Sequence, residues 1–512
     1  MLAKTVSNAV LGIEGYEVEV EIDLAKGLPS FNIVGLPDAA VREAKERVRA
    51  AIKNSGFQFP VKKITVNLAP ADIKKEGPTF DLAIAVGILA ASGVLADDVD
   101  TDYALIGELS LDGSVKSVKG ILPKVLAAQE AGKQGVLLPK PNAAEASVVE
   151  GLDVIPVNSL RETIDWLLGE EELEPAVNNW QLSRTDDYQL DFQDVKGQAH
   201  AKRALEIAAA GGHNVLMVGP PGAGKTMLAK RLPTILPPLT KEEAMEITKI
   251  FSIIGKLSAD QPLISQRPFR SPHHTTSQAG IIGGGRIPQP GEISLAHQGV
   301  LFLDELPEFK KSVLEVLRQP LEEGKVSISR ALTTLEYPAD FMLVASMNPC
   351  PCGYYGDQGR ECTCSSYEIK RYLNKISGPL LDRIDIHLEV PRLEVDELTT
   401  YRQGESSQEI KERVIAARSR QSQRLEASSA EYNAEMGSAA LEEYCSLQSG
   451  AEDLLTQAIE RLQLSARGYD RILKLARTIA DLEEADVISD EHIGEAIQYR
   501  SLDRRYTVGA TG

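Results

Sequence analysis

The stretch from His213 to Lys230, HNVLMVGPPGAGKTMLAK, limits what this chain can fold into more than any other. Val215 to Val218 is a short apolar run and predicts a buried strand. Gly219, Pro220, Pro221, Gly222, Ala223, Gly224, Lys225 and Thr226 follow with the spacing G-x-x-x-x-G-K-[ST], and Met227 to Arg231 opens a helix. Strand, glycine loop and helix in this order are what a phosphate-binding loop requires. Glycines let backbone N–H groups turn inward around phosphates, and the helix N-terminus adds partial positive charge. Lys225 is expected to reach the β- and γ-phosphates and Thr226 to hold Mg²⁺. A second run, Gly299 to Glu305 (GVLFLDE), reads as a fully buried parallel strand ending in two acids. Ligands of such sheets bind at the carboxyl ends of strands. Asp304 is therefore expected to orient Mg²⁺ and Glu305 to polarise the attacking water.

A chain of 512 residues predicts about three domains. A net charge of −19 is the wrong sign for a protein coated with nucleic acid, so DNA binding would need a local basic strip or pore. Five cysteines do not make a disulfide scaffold, and a reducing cytoplasm is the expected compartment. Met1 to Gly15 lacks a signal-peptide pattern. The most apolar stretch, Leu82 to Leu95, is too short and too broken to span a membrane.

Residues 1–170 read as a mixed α/β domain. Val18 to Ile22 and Ile64 to Leu68 alternate as half-buried strands. Asp38 to Gly56, Asp81 to Leu95 and Lys119 to Ala131 read as helices, and Gly135 to Leu138 as a strand. The stretches Glu76–Phe80 (EGPTF), Ile106–Gly113 (IGELSLDG) and Gly120–Ala128 (GILPKVLAA) resemble the proteolytic domain of Lon. That resemblance implies a serine nucleophile and a lysine base. Lys124 stands at the lysine position and Thr79 at the serine position, followed by Phe80 and Asp81 where small residues are expected. A nearby Asp81 would hold the lysine charged. A structural or partner-binding domain is the expectation, with a peptidase as the alternative. Gly169 to Pro175 (GEEELEP) is acidic and proline-ended, and residues 171–187 read as an acidic, extended linker.

Residues 188–395 carry further AAA+ features. Asp191–Gln198 resembles the segment that wraps adenine in AAA+ ATPases, with Val195 packing on the base. Asn348, after the buried strand Phe341–Met347, resembles the polar residue that senses the γ-phosphate. Ser377–His387 resembles the arginine-finger segment of AAA+ helicases and magnesium chelatases. Arg383 would then act on a neighbouring subunit's nucleotide, or else pair with Asp382 or Asp385. The runs RPFRSPHHT (Arg267–Thr275), GGGR (Gly283–Arg286), PGEISLAHQGVLFLDELP (Pro290–Pro307) and NPCPCG (Asn348–Gly353) complete the pattern. With them the chain resembles the magnesium-chelatase-like AAA+ family of the YifB/ComM type over nearly its whole length. The resemblance implies a homohexameric ring helicase using ATP and Mg²⁺. It would drive branch migration on single-stranded or branched DNA during natural transformation, alongside other recombination proteins. A chelatase-type remodelling ATPase acting on a protein partner is the runner-up.

Two insertions carry cations. Gly280 to Pro290 holds Arg286, and Lys325 to Tyr337 reads as a β-hairpin holding Lys325 and Arg330. Each is either a pore loop tracking phosphates or a solvated surface loop. His273 and His274 are adjacent and expected to serve a core or interface role rather than metal ligation. Cys350, Cys352, Cys362 and Cys364 form two C-x-C pairs, which suit tetrahedral Zn²⁺, unligated thiols or a disulfide.

Residues 396–505 read as a helical lid. Ser406 to Glu426 is a long helix whose Arg413, Arg418, Arg420 and Arg424 are expected to be solvated. Ala451 to Leu462, Ala466 to Leu482 and Ser489 to Tyr499 follow as helices, after a loose connection at Ala427 to Gly437. Arg467 is the candidate second sensor of the γ-phosphate, with Arg471 and Arg477 one and three turns further on as alternatives. Residues 506–512 read as a frayed tail.

Overall fold

The computed structural model describes residues 1–95, 102–178, 188–258, 262–285, 288–330, 333–393, 404–462 and 464–500. Arg286 and the expected tail lie outside them, and the side chain of Arg330 is likewise not described. Two compact units are present: Met1–Leu182 with Lys241–Ser265, and Ser183–Thr240 with Gln266–Gly512.

The first unit is built on a seven-stranded sheet of β1 (Leu2–Leu11), β2 (Glu14–Ala25), β3 (Ser30–Val34), β4 (Lys63–Ala69), β5 (Tyr103–Leu105), β6 (Gly135–Pro139) and β7 (Asp153–Val157), in the order β3-β4-β2-β1-β5-β6-β7. β1 and β2 are antiparallel, as are β2 and β4; the remaining pairs are parallel. Period-two alternation sends side chains to two apolar clusters. Leu105 and Leu137 join one, while Ala104, Ile106, Val136 and Leu138 join the other. The helix Asp81–Ala91 is buried at every residue, as its apolar composition predicts.

Two features of this unit depart from the sequence reading. The acidic segment expected to be an extended linker stays docked through residue 176: Leu173 and Ala176 pack on the apolar clusters, and Ala176 N–H donates to Val154 O at 2.7 Å. Partial burial of these two apolar side chains, with the backbone bond to Val154, outweighs the repulsion among neighbouring glutamates. The helix Lys241–Ile254, drawn from within the expected ATPase core, also belongs to this unit. Ser252 O accepts from Gly120 N–H at 3.0 Å, Lys249 pairs with Glu14 at 3.6 Å, and Ala244, Ile247 and Ile250 are buried.

In the second unit a five-stranded, all-parallel sheet contains β8 (Val215–Val218), β9 (Phe269–Arg270), β10 (Gly299–Leu303), β13 (Phe341–Met347) and β14 (Ile386–Glu389), in the order β9-β10-β13-β8-β14. Between β10 and β13 lies an antiparallel hairpin of β11 (Lys325–Arg330) and β12 (Thr333–Pro338), as expected. β8, β10 and β13 are buried throughout, which is why they read as continuous apolar runs.

The C-terminal helices Ser407–Leu425, Ser449–Leu462, Ala466–Leu482 and Asp490–Gln498 share the core of this unit. Of the arginines of Ser407–Leu425, Arg413 and Arg420 stay 40% and 39% exposed while making ion pairs, and Arg418 and Arg424 are drawn inward. Arg413 pairs with Glu206 and Glu405, and Arg420 with Glu484. Arg418 donates to Ala209 O at 3.0 Å and lies over the Tyr432 ring. Arg424 donates to Asp481 at 2.7 Å and to Asn433 at 2.9 Å. Asn433 in turn bonds Thr478, which meets His213 Nε2 at 2.8 Å. Through Asn433 this buried polar network ties down the stretch 427–437, expected to be a loose connection.

Candidate nucleotide site

The sheet order places three strand ends side by side. β8 runs into the phosphate loop, β10 into Asp304 and Glu305, and β13 between them into Asn348. Lys225 Nζ donates to Gly219 O at 2.6 Å, Pro220 O at 3.0 Å and Asn348 Oδ1 at 3.3 Å. Burial pushes its ammonium below the usual lysine range, against the pull of Asp304 and Glu305. Thr226 Oγ1 donates to Asp304 Oδ2 at 2.9 Å. Two glycines are fixed by geometry. A Cβ on Gly219 would lie 2.1 Å from Val390 O, and Gly224 has φ +88° at the start of the helix Lys225–Arg231.

Glu305 holds φ +55°, a left-handed conformation rare for its residue type. Its side chain is 59% exposed, and its Oε2 lies 3.6 Å from His274 Nδ1. The sequence reading missed His274 here, and it also missed Ser346, whose Oγ donates to the other oxygen of Asp304. Pairing of Leu303 with Ala345 in neighbouring parallel strands puts Ser346 beside Asp304, so the register carried that signal. The rings of His273 and His274 lie 4.1 Å apart, tilted by 34°, with His273 exposed.

The remaining candidates are brought to different places. Val195 is fully buried in the apolar core. Arg383 pairs with Glu322, not with Asp382 or Asp385, and donates to Pro379 O. Its side chain is 10% exposed and lines a cleft with Glu315, Gln319, Glu322, Glu323 and Ser327. Asp385 is instead shared by His213, at 3.6 Å, and Arg471, at 3.4 Å. Arg477 is buried against Asp481 and the carbonyls of Ala485 and Asp486, a structural role. Arg467 is exposed at the start of its helix, which Ser465 caps. On the hairpin, Lys325 pairs with Glu336 at 3.0 Å. The two insertions touch: Tyr337 OH donates to Pro288 O at 3.0 Å, and a Cβ on Gly283 would lie 2.9 Å from Ile328. No disulfide joins the four clustered cysteines, which leaves the zinc and unligated-thiol alternatives.

In the first unit Lys124 Nζ donates to Thr79 Oγ1 at 3.1 Å and to Lys119 O at 2.8 Å. Asp81 does not hold this lysine charged. It binds Arg47 at 2.7 and 3.0 Å and accepts from Leu109 N–H. Burial pushes Lys124 down to about 8, with Glu145 opposing. Thr79 and Lys124 are 3% and 5% exposed, so the pair is closed to a polypeptide substrate. A lysine whose folded value lies below its unfolded 10.5 costs stability at low pH. Between about pH 8 and 10.5 the unfolded chain still holds the proton that the folded chain has released, so stability rises with pH across that window. Relative to Lys124→Met, the protection of the helix Ile121–Glu130 against hydrogen exchange should rise by up to ~3 kcal/mol from pH 7 to 10.5. A pH-independent difference between the two proteins would contradict a depressed Lys124.

The chain matches three family models: "Magnesium chelatase, subunit ChlI" over residues 191–398, "Subunit ChlI of Mg-chelatase" over 20–142, and "Magnesium chelatase, subunit ChlI C-terminal" over 404–500. The "Uncharacterized protein YifB" of Escherichia coli (strain K12) is 45% identical over 499 residues, 97% of each chain. The "Competence protein ComM" of Haemophilus influenzae is 45% identical over 508 residues, 98% of each chain. "Lon protease 2" of Bacillus subtilis is 28% identical over 167 residues, 30% of each chain. Among the described residues no helix is long and apolar enough to cross a membrane. An α/β AAA+ core on a parallel sheet, a Lon-like α/β region and a helical C-terminal region make up a chain that belongs to the YifB/ComM family of magnesium-chelatase-like proteins.

Proposed function

We propose that this chain is an ATP-hydrolysing, Mg²⁺-dependent ring motor, a homohexameric DNA helicase that promotes branch migration in recombination during natural transformation. The convergence of Lys225, Thr226, Asp304, Glu305 and Asn348 at the carboxyl edge of one parallel sheet carries the nucleotide part of this reading. Backbone N–H groups of Gly222, Ala223, Gly224 and Lys225 would cradle the phosphates, since Pro220 and Pro221 have none to offer, and Lys225 would exchange its carbonyl partners for phosphate oxygens. Thr226 and Asp304 would hold Mg²⁺, which supplies charge neutralisation on the phosphates. Glu305 takes the proton of the attacking water, and Asn348 and Arg467 contact the γ-phosphate. Val195 packs against the adenine. Arg383 leaves Glu322 and acts across a subunit boundary.

The DNA part is supported by the name of the Haemophilus influenzae relative, a competence protein, and by the two insertions that pack together beside each other in one unit. Arg286, Lys325 and Arg330 are the cations they offer to a phosphate backbone. The double variant Lys325→Ala, Arg330→Ala is expected to lose most DNA stimulation of ATP turnover while basal turnover stays within about twofold. Stimulation equal to wild type would remove the hairpin from the DNA path. A chelatase-type remodelling ATPase with a protein partner would show no DNA stimulation in either protein.

A further inference from the structure

We infer that Cys350, Cys352, Cys362 and Cys364 bind one zinc ion, and that this ion holds Asn348 and the phosphate loop in register. The four sulfur atoms lie within 4.8 Å of one another. Cys350 Sγ is 3.3 Å from Cys352 Sγ and 3.7 Å from Cys362 Sγ, and Cys352 Sγ is 3.5 Å from Cys362 Sγ. Four sulfurs bound at about 2.3 Å around a tetrahedral centre stand about 3.8 Å apart, so a single ion fits with small shifts. An iron–sulfur cluster, which holds its ligands around several metal atoms, needs a wider cage. The thiols are clustered without being bonded to each other.

Metal binding would release four protons, one from each thiol, and leave a tetrathiolate of net charge −2 around Zn²⁺. Backbone donors are already aimed at the sulfurs. Cys352 N–H points to Cys364 Sγ at 3.4 Å, and Tyr355 N–H to Cys350 Sγ at 3.3 Å. These offset the negative charge in the way that outer hydrogen bonds support metal ligands.

The location gives the ion its consequence. Cys350 is fully buried and stands two residues after Asn348. Gly353, at φ +89°, turns the chain so closely over the phosphate loop that a Cβ there would lie 2.6 Å from Pro221 Cδ. Asp357 in the same knuckle pairs with Arg392 at 3.1 Å, and Tyr354 lies against Arg360 and Arg392. Arg392 follows β14, whose end approaches Gly219 through Val390 O. A cross-link through zinc therefore ties the end of β13, the phosphate loop and the end of β14 together. The second half of the inference rests on the nucleotide reading above; the first half does not.

The test uses the full chain purified without chelator. Elemental analysis is expected to give one zinc per chain, and titration of the thiols with a mercurial is expected to release that zinc stoichiometrically. The variant Cys362→Ser, Cys364→Ser spares the buried Cys350 and should contain less than about a tenth of the zinc. It should bind a fluorescent ATP analogue at least about tenfold more weakly while keeping the wild-type far-UV dichroism. Iron in place of zinc, no metal, or full zinc in the double variant would overturn the site. Zinc lost with nucleotide affinity unchanged would overturn the coupling alone. Failure of the wild-type, zinc-loaded chain to bind the analogue would count against the nucleotide reading and leave the zinc result standing.

Discussion

Glu305→Gln is expected to lower steady-state ATP turnover by about 10²–10⁴-fold with nucleotide affinity nearly unchanged. The carboxylate is the group placed to accept a proton: it is exposed and follows a buried strand next to Asp304. Gln is nearly isosteric, so the left-handed backbone at this position and the approach of His274 are kept. A loss in kcat with unchanged affinity is what removal of an interaction made only in the transition state produces. Single-turnover hydrolysis alongside analogue binding separates the two. Turnover within a few-fold of wild type would assign the proton to another group.

Arg383→Ala is expected to lower turnover by about 10³–10⁵-fold, again with binding kept, if the guanidinium reaches a neighbour's γ-phosphate. In the isolated chain Arg383 pairs with Glu322 and Pro379 O, which permits a purely structural alternative. The comparison that decides is Glu322→Gln. A structural pair makes both variants equally defective, because each removes one partner of the same contact. An arginine acting in trans leaves Glu322→Gln active. It also lets mixtures of Arg383→Ala and Lys225→Ala chains recover part of the turnover, because some interfaces then combine an intact finger with an intact phosphate loop.

Much of this was legible in the sequence for identifiable reasons. Residues 219–226 and 304–305 sit at strand ends whose buried apolar runs admit one reading. The helix Ala466–Leu482 has the bounds its 3.6-residue period and Ser465 cap predict. β1 was hidden because Thr5, Ser7 and Asn8 are buried polar residues that break its apolar alternation. The arginines of Ser407–Leu425 read as solvated because their carboxylate, carbonyl and ring partners are remote; Arg418 and Ala209 are 209 positions apart. Glu322 and Arg383 are 61 positions apart, and no local pattern links them. Asp81 looked like a partner for Lys124 because it is two residues from Thr79. Its carboxylate is turned instead to Arg47 on the helix Ala39–Asn54.

The most direct test of the motor reading is steady-state ATP hydrolysis by the wild-type chain with Mg²⁺, measured without DNA, with single-stranded DNA and with branched DNA, beside Glu305→Gln as the blank. The account predicts basal turnover that single-stranded or branched DNA raises at least severalfold, and none of it in the blank. Hydrolysis that is indifferent to DNA would contradict a DNA motor and favour a protein-remodelling ATPase of the chelatase type.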